Sequence, residues 1–300
     1  MTSDPRWLAA AACGLGAATL ALWAFRALPG GAVALWLSPL PLFAAGIGFG
    51  MAALAAALAV ASLAILFSGS ALALGIFLAA FGVPVAMLVL AGDRRGRIDL
   101  ALPFALLGII PAGGILLAAL MLGDEPGGLE GAMRGAAEAG LRRMGLPAHD
   151  GLVADLVRVK AAAIGFWVSM ALLVNAAAAG ALLARTRVIA GAPAWREARL
   201  PAWYAVLPGL ALLLWLAADD EADAVQLSLL LALMVPIFLH GLAAFHRATR
   251  ALRGRTMVLG GAYAALIVMS VPVALSVTGY GLYDILNGTR ARRGAPPPTP

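Results

Sequence analysis

Trp167, Ser169, Asn175, His240 and Asp284 are the side chains whose types could bind something, and each sits in a stretch otherwise built from Ala, Leu, Val, Gly and Phe. Asn175 carries two amide donors and one acceptor oxygen, and hydrocarbon offers none of them a partner. If it faces inward with Trp167 and Ser169, it either bonds to backbone that a proline has freed in a neighbouring helix or lines a pocket. His240 stands between Pro236 and Gly241 and, as a histidine, has a titration range near neutral pH. The alternative for it is an ordinary packing or interfacial role. Asp284, in Gly281-Leu282-Tyr283-Asp284, is the only acid of the last hydrophobic region; it caps a helix, pairs with an arginine or faces a cavity. These five are the substrate-binding candidates.

The chemistry that is absent bounds the function as firmly. His240 and His246 are six residues apart on poorly matched helix faces, with no cysteine or carboxylate at ligand spacing, so no metal site is expected. A single cysteine, Cys13, excludes an internal disulfide and a cysteine cluster. There is no Gly-rich phosphate loop with lysine, no His-Glu-x-x-His and no nucleophile elbow. The expectation is no catalytic residue, no cofactor and no enzyme; a membrane enzyme acting on a lipid-linked substrate ranks third among the readings.

The elements that must position these residues follow from composition. In 300 residues, 63% are hydrophobic and 12% charged, half the roughly 25% charged share of a soluble domain. Mean hydropathy is +0.95. That excludes a water-soluble enzyme, a nucleic-acid-binding module and a disordered scaffold. The net charge of +6 is carried by arginines lying between apolar runs, which suits membrane orientation rather than nucleic acid. The uncharged runs are 7–25, 27–92, 100–123, 161–184, 200–218, 224–246 and 256–283. One helix needs roughly 20 apolar residues to cross the bilayer, so 27–92 holds three. Pro29-Gly30-Gly31, Gly46-Ile47-Gly48-Phe49-Gly50 and Ser68-Gly69-Ser70 divide it into helices near 32–47, 51–67 and 71–91. Pro39, Pro41 and Pro84 predict interrupted turns inside them.

Cytoplasmic loops collect arginine and lysine. With the N-terminus inside, the inside segments carry Arg6, Arg94, Arg95, Arg97, Arg185, Arg187, Arg196, Arg199, Arg247, Arg250, Arg253 and Arg255. The outside segments carry Arg26, Arg134, Arg142, Arg143, Arg158 and Lys160, together with an acidic loop of Asp219, Asp220, Glu221 and Asp223. A break at Val271-Pro272, giving helices near 257–270 and 273–288, returns the terminal arginines to the inside. Residues 124–157 read as a surface helix interrupted by Gly145-Leu146-Pro147, either amphipathic at the outer interface, capping the bundle or covering a substrate entrance. Ala-rich faces at 9–18, 52–61 and 176–181 allow close helix contact, internal or with a partner.

Four stretches resemble the uncharacterised bacterial membrane family DUF2232, related to the YybS proteins: Leu37 to Gly46, Trp167 to Ala176, Pro236 to Ala243 with His246, and Gly281 to Asp284. That family is similar in turn to the substrate-binding S components of energy-coupling factor transporters, which have six helices with both ends inside and a Pro…Gly-x-Gly junction between the second and third. The resemblance implies an S-component-like half at 1–185; the C-terminal transmembrane helices at 186–290 depart from the six-helix pattern, and the proline-rich end reads as a disordered tail at 291–300. No vitamin-binding polar cluster is visible, so no substrate is carried over. The sequence thus predicts an all-α polytopic transmembrane helix bundle of eight to ten helices in the bacterial inner membrane, N-terminus cytoplasmic. Its partner is the lipid bilayer, with no nucleic acid. The leading function is small-molecule binding or transport; the alternative is a structural or assembly protein contacting another membrane protein.

Overall fold

In hydrocarbon every backbone N–H and C=O must be satisfied within its own segment, so charge-free runs fold as helices. The computed structural model describes residues 4–94, 97–147, 149–218 and 223–293. Within them the chain is an all-α bundle, with one two-residue antiparallel pair, Asp93–Arg94 against Arg97–Ile98. Seven described helical segments are long and apolar enough to cross a membrane. This is a multi-pass membrane protein. The acidic residues Asp219, Asp220 and Glu221, and the tail 294–300, lie outside the described residues.

Helix α1 is Pro5–Phe25, capped by Asp4, whose carboxylate accepts from the Arg6 N–H. Helices α2 (Gly31–Leu37) and α3 (Pro39–Phe49) form one span broken at Ser38. Pro39 removes the N–H that would reach the Leu35 carbonyl, and the Ser38 hydroxyl donates to that carbonyl instead, at 2.7 Å. Gly50, at φ +86°, turns the chain directly into α4 (Met51–Ser68). Helices α5 (Ala71–Phe77) and α6 (Val83–Gly92) make the next span, joined by a π turn over Leu78–Gly82 just before Pro84. The three helices predicted in 27–92 are thus present, with the interruptions at the prolines.

Helix α7 is Ala101–Met121, α8 is Gly128–Arg143 and α9 is Asp150–Arg185. The sequence places the start of the sixth span at 161; α9 starts eleven residues earlier. Its first turns use Val153 and Val157 to cover Ala137 and Leu141 of α8, so they are a helix with a buried stripe despite their charges. α8 therefore packs on the head of α9, with Met133 against the same cluster. Helix α10 (Val206–Leu216) follows a 3₁₀ turn at Ala202–Ala205 and is short for a span. Helix α11 is Ala224–Ala248; the last apolar run splits at Met269 into α12 (Arg255–Val268) and α13 (Ser270–Arg293), close to the predicted break.

The chain divides into two compact units. The first comprises Met1–Ile110 and Phe166–Ala194, the second Pro111–Gly165 and Trp195–Pro300. In the first, α1 buries Ala10, Ala17, Ala18 and Ala21, and α4 buries Ala53, Ala57 and Ala61. A Cβ on Gly14 would meet the Ala57 carbonyl and lie 2.8 Å from Val60 Cβ, so these two small-residue faces are in direct contact. The core of the second unit is built on α11, whose central residues from Ser228 to Ala244 are largely buried.

Candidate functional site in the second unit

Two glycines bring α11 and α13 together. A Cβ on Gly281 would strike the Ile237 carbonyl and lie 2.8 Å from the Gly241 nitrogen; one on Gly241 would strike the Val277 carbonyl. Only glycine at both positions permits this approach. It sets His240, one residue before Gly241, opposite Asp284, three residues after Gly281. His240 Nε2 lies 2.9 Å from Asp284 Oδ2, and the Leu200 N–H points at its Nδ1 from 3.4 Å. With Nδ1 accepting, the proton belongs on Nε2, and the imidazole donates to the carboxylate. Arg247 donates through Nη2 to the same carboxylate oxygen at 2.9 Å. His240 is 2% exposed, whereas the Asp284 side chain is 39% exposed. The cluster pairs a buried imidazole with a carboxylate that reaches the surface.

Beside this cluster lies a pocket of about 270 Å³, walled by Gly241 and Phe245 of α11, Tyr263 and Leu266 of α12, and Val277 and Tyr280 of α13. Tyr280 is one turn before Asp284. The Tyr263 hydroxyl pairs with His246 Nε2 at 2.9 Å. Helix α12 buries none of its residues, and Met257, Ile267 and Val268 are each more than 80% exposed. One wall of the pocket is therefore a helix held to its neighbours only lightly.

A second polar constellation caps the same unit. Asp223, just before α11, receives a two-pronged hydrogen bond from Arg158, through Nε at 3.0 Å and through Nη2, and a third from the Trp215 indole N–H at 2.8 Å. Arg158 hydrogen bonding, with Trp215 adding to it, outweighs burial and holds the Asp223 carboxyl below its ordinary range.

The remaining sequence candidates belong to the first unit, where Ser169 and Asn175 are spent on backbone carbonyls. Ser169 donates at 2.6 Å to the Leu107 carbonyl, whose helical partner four residues on is Pro111. The Asn175 amide donates to Trp36 O and Ala171 O, both at 2.7 Å. Trp36 sits between Leu35 and Leu37, whose partners four residues on are Pro39 and Pro41. Ser169 thus re-satisfies a proline-freed carbonyl, a common role for serine in membrane helices. Asn175 Oδ1 is buried without a partner among the described residues. Trp167 packs its ring 6.2 Å from that of Phe81, in the π turn.

Sequence reasoning missed Arg247, Arg158, Asp223 and Trp215 as members of clusters. A signal existed for Arg247: it is seven residues after His240, hence on the same helix face. None existed for Arg158, which is distant in sequence from Asp223. No family model, no curated protein and no solved structure matches this chain.

Proposed function

We propose that this multi-pass protein binds a small molecule in the bacterial inner membrane, in connection with transport, and that the binding site is the α11–α12–α13 pocket together with the His240–Asp284–Arg247 cluster. The carrying observation is the adjacency of an apolar pocket to a cluster of ionisable groups inside a helix pair. Ionisable residues at membrane depth are costly and mark ligand or ion paths. The interrupted helices and the likeness to DUF2232 and to S components support the same reading. Of the five candidates from the sequence, His240 and Asp284 belong to this site; the hydrogen bonds of Ser169 and Asn175 suit structural roles.

The assembly reading draws its support from α12, which leaves its apolar surface uncovered. The small-residue faces of α1 and α4 give it none, because they are used on each other.

Native mass spectrometry of the gently purified full chain separates the two. A retained small-molecule adduct in the parent and in Asn175→Leu, but not in Ala262→Trp, whose indole fills the pocket, is the expected result. An adduct unchanged by Ala262→Trp would contradict this site; a co-purifying protein lost on substitution of Ile267 and Val268 would favour assembly.

A further inference from the structure

The pocket wall has little to offer a hydrogen-bonding ligand. Ser276 donates to the Pro272 carbonyl of its own helix at 2.8 Å, and Tyr263 is engaged by His246. A polar solute lodged there would surrender its water partners with little beyond the Tyr280 hydroxyl to replace them, whereas a hydrocarbon chain loses nothing.

The chain between two of the helices that wall the pocket has the opposite character. Between Asp223 and Asp284 the chain contains no acid, yet the end of α11, the connector after it and the first residue of α12 carry Arg247, Arg250, Arg253 and Arg255. Arg247 pairs with Asp284 and Arg250 with Glu197. Among the described residues, no acid pairs with Arg253 or Arg255. Two guanidinium nitrogens, Arg247 Nη1 and Arg255 Nε, are buried with no hydrogen-bond partner among the described residues. A buried cationic donor left without an acceptor is unfavourable, and an anion relieves it. The arginines lie within a lipid's length of the pocket along the helices: Phe245 is two residues before Arg247, and Tyr263 follows Arg255 by eight residues, an axial rise of about 12 Å. A single amphiphile can reach both.

Resting on the binding reading above, we propose that the occupant is an anionic phospholipid, one acyl chain in the α11–α12–α13 pocket and its phosphate held by Arg253 and Arg255. Basic pockets between membrane helices are suited to such headgroups.

The test uses the full chain in phosphatidylcholine nanodiscs doped with a phosphatidylglycerol carrying a photoactivatable acyl chain, or with a phosphatidylcholine carrying the same chain. Labelled residues are mapped by mass spectrometry. Labels on Tyr263, Leu266 or Val277 are expected, roughly 25-fold stronger with the anionic probe. Each arginine contributes roughly fivefold to that preference, so R253Q/R255Q brings it close to unity. Equal labelling by the two probes, or a preference that survives R253Q/R255Q, overturns the anionic assignment and leaves the pocket a binding site. Displacement of the lipid label by millimolar inorganic phosphate also overturns it, in favour of a free anion. Failure of both probes to label the pocket, with labelling elsewhere intact, overturns the binding reading itself.

Discussion

Asp223 is a carboxylate whose folded pKa lies below its unfolded value, because Arg158 and Trp215 hydrogen-bond its charged form. Such a group contributes stability that is complete above the unfolded pKa, about 3.9, and is lost as pH falls through the folded pKa. The melting temperature in detergent should therefore drop between about pH 5 and 3, and Asp223→Asn should make that drop shallower. Superimposable acid limbs for the two proteins would refute the role given to this carboxylate. Asn175 makes the contrasting case. Its two bonds go to backbone carbonyls, and hydrogen bonds between membrane helices average about 0.6 kcal/mol. Only the bond to Trp36 joins two helices, so Asn175→Leu is expected to lower stability by about 0.6 kcal/mol and to leave ligand binding at the α11–α13 pocket unchanged; loss of the ligand with the fold intact would restore Asn175 to the site. The sequence pointed to the need of these side chains for partners, because polar groups at membrane depth cannot go unsatisfied. It could not say which partners, since Trp36 and Leu107 are 139 and 62 residues away.

At the scale of elements, the α11–α13 crossing is the feature on which the His240–Asp284–Arg247 cluster depends. Gly281→Ala places a methyl group against the Ile237 carbonyl and 2.8 Å from the Gly241 nitrogen, so the helices must separate. Overpacking of this kind costs about 1–3 kcal/mol. The variant should melt earlier and lose the His240–Asp284 pair, which the nitrogen chemical shifts of labelled His240 would report; parental shifts would show that the crossing tolerates the methyl group. Helix positions were legible because charge ends an apolar run and Pro or Gly interrupts it: the predicted 32–47, 51–67 and 71–91 correspond to segments 31–49, 51–68 and 71–92. The early start of α9 was not legible, because Asp150, Asp155, Arg158 and Lys160 end the apolar run without ending the helix. Glycine spacing could not reveal the crossing either, since Gly241 and Gly281 matter only once their two faces meet.

At the scale of the whole molecule, the arginine distribution predicts the side of each loop. In a Cys13→Ala background, a single cysteine at Asp220 should react with an impermeant thiol reagent on intact cells, and one at Gly254 should not; the reverse pattern would invert the orientation. The same orientation puts the arginine connector in the cytoplasmic leaflet, where anionic lipid is drawn to basic segments. The central claim, that the second unit holds a ligand between α11, α12 and α13, is tested most directly by an electron cryo-microscopy map of the full chain in nanodiscs containing phosphatidylglycerol. Elongated density along Tyr263, Leu266 and Val277, ending at Arg253 and Arg255, is the expected result. A map in which α12 closes onto α11 and α13, with side chains filling the space, would contradict it.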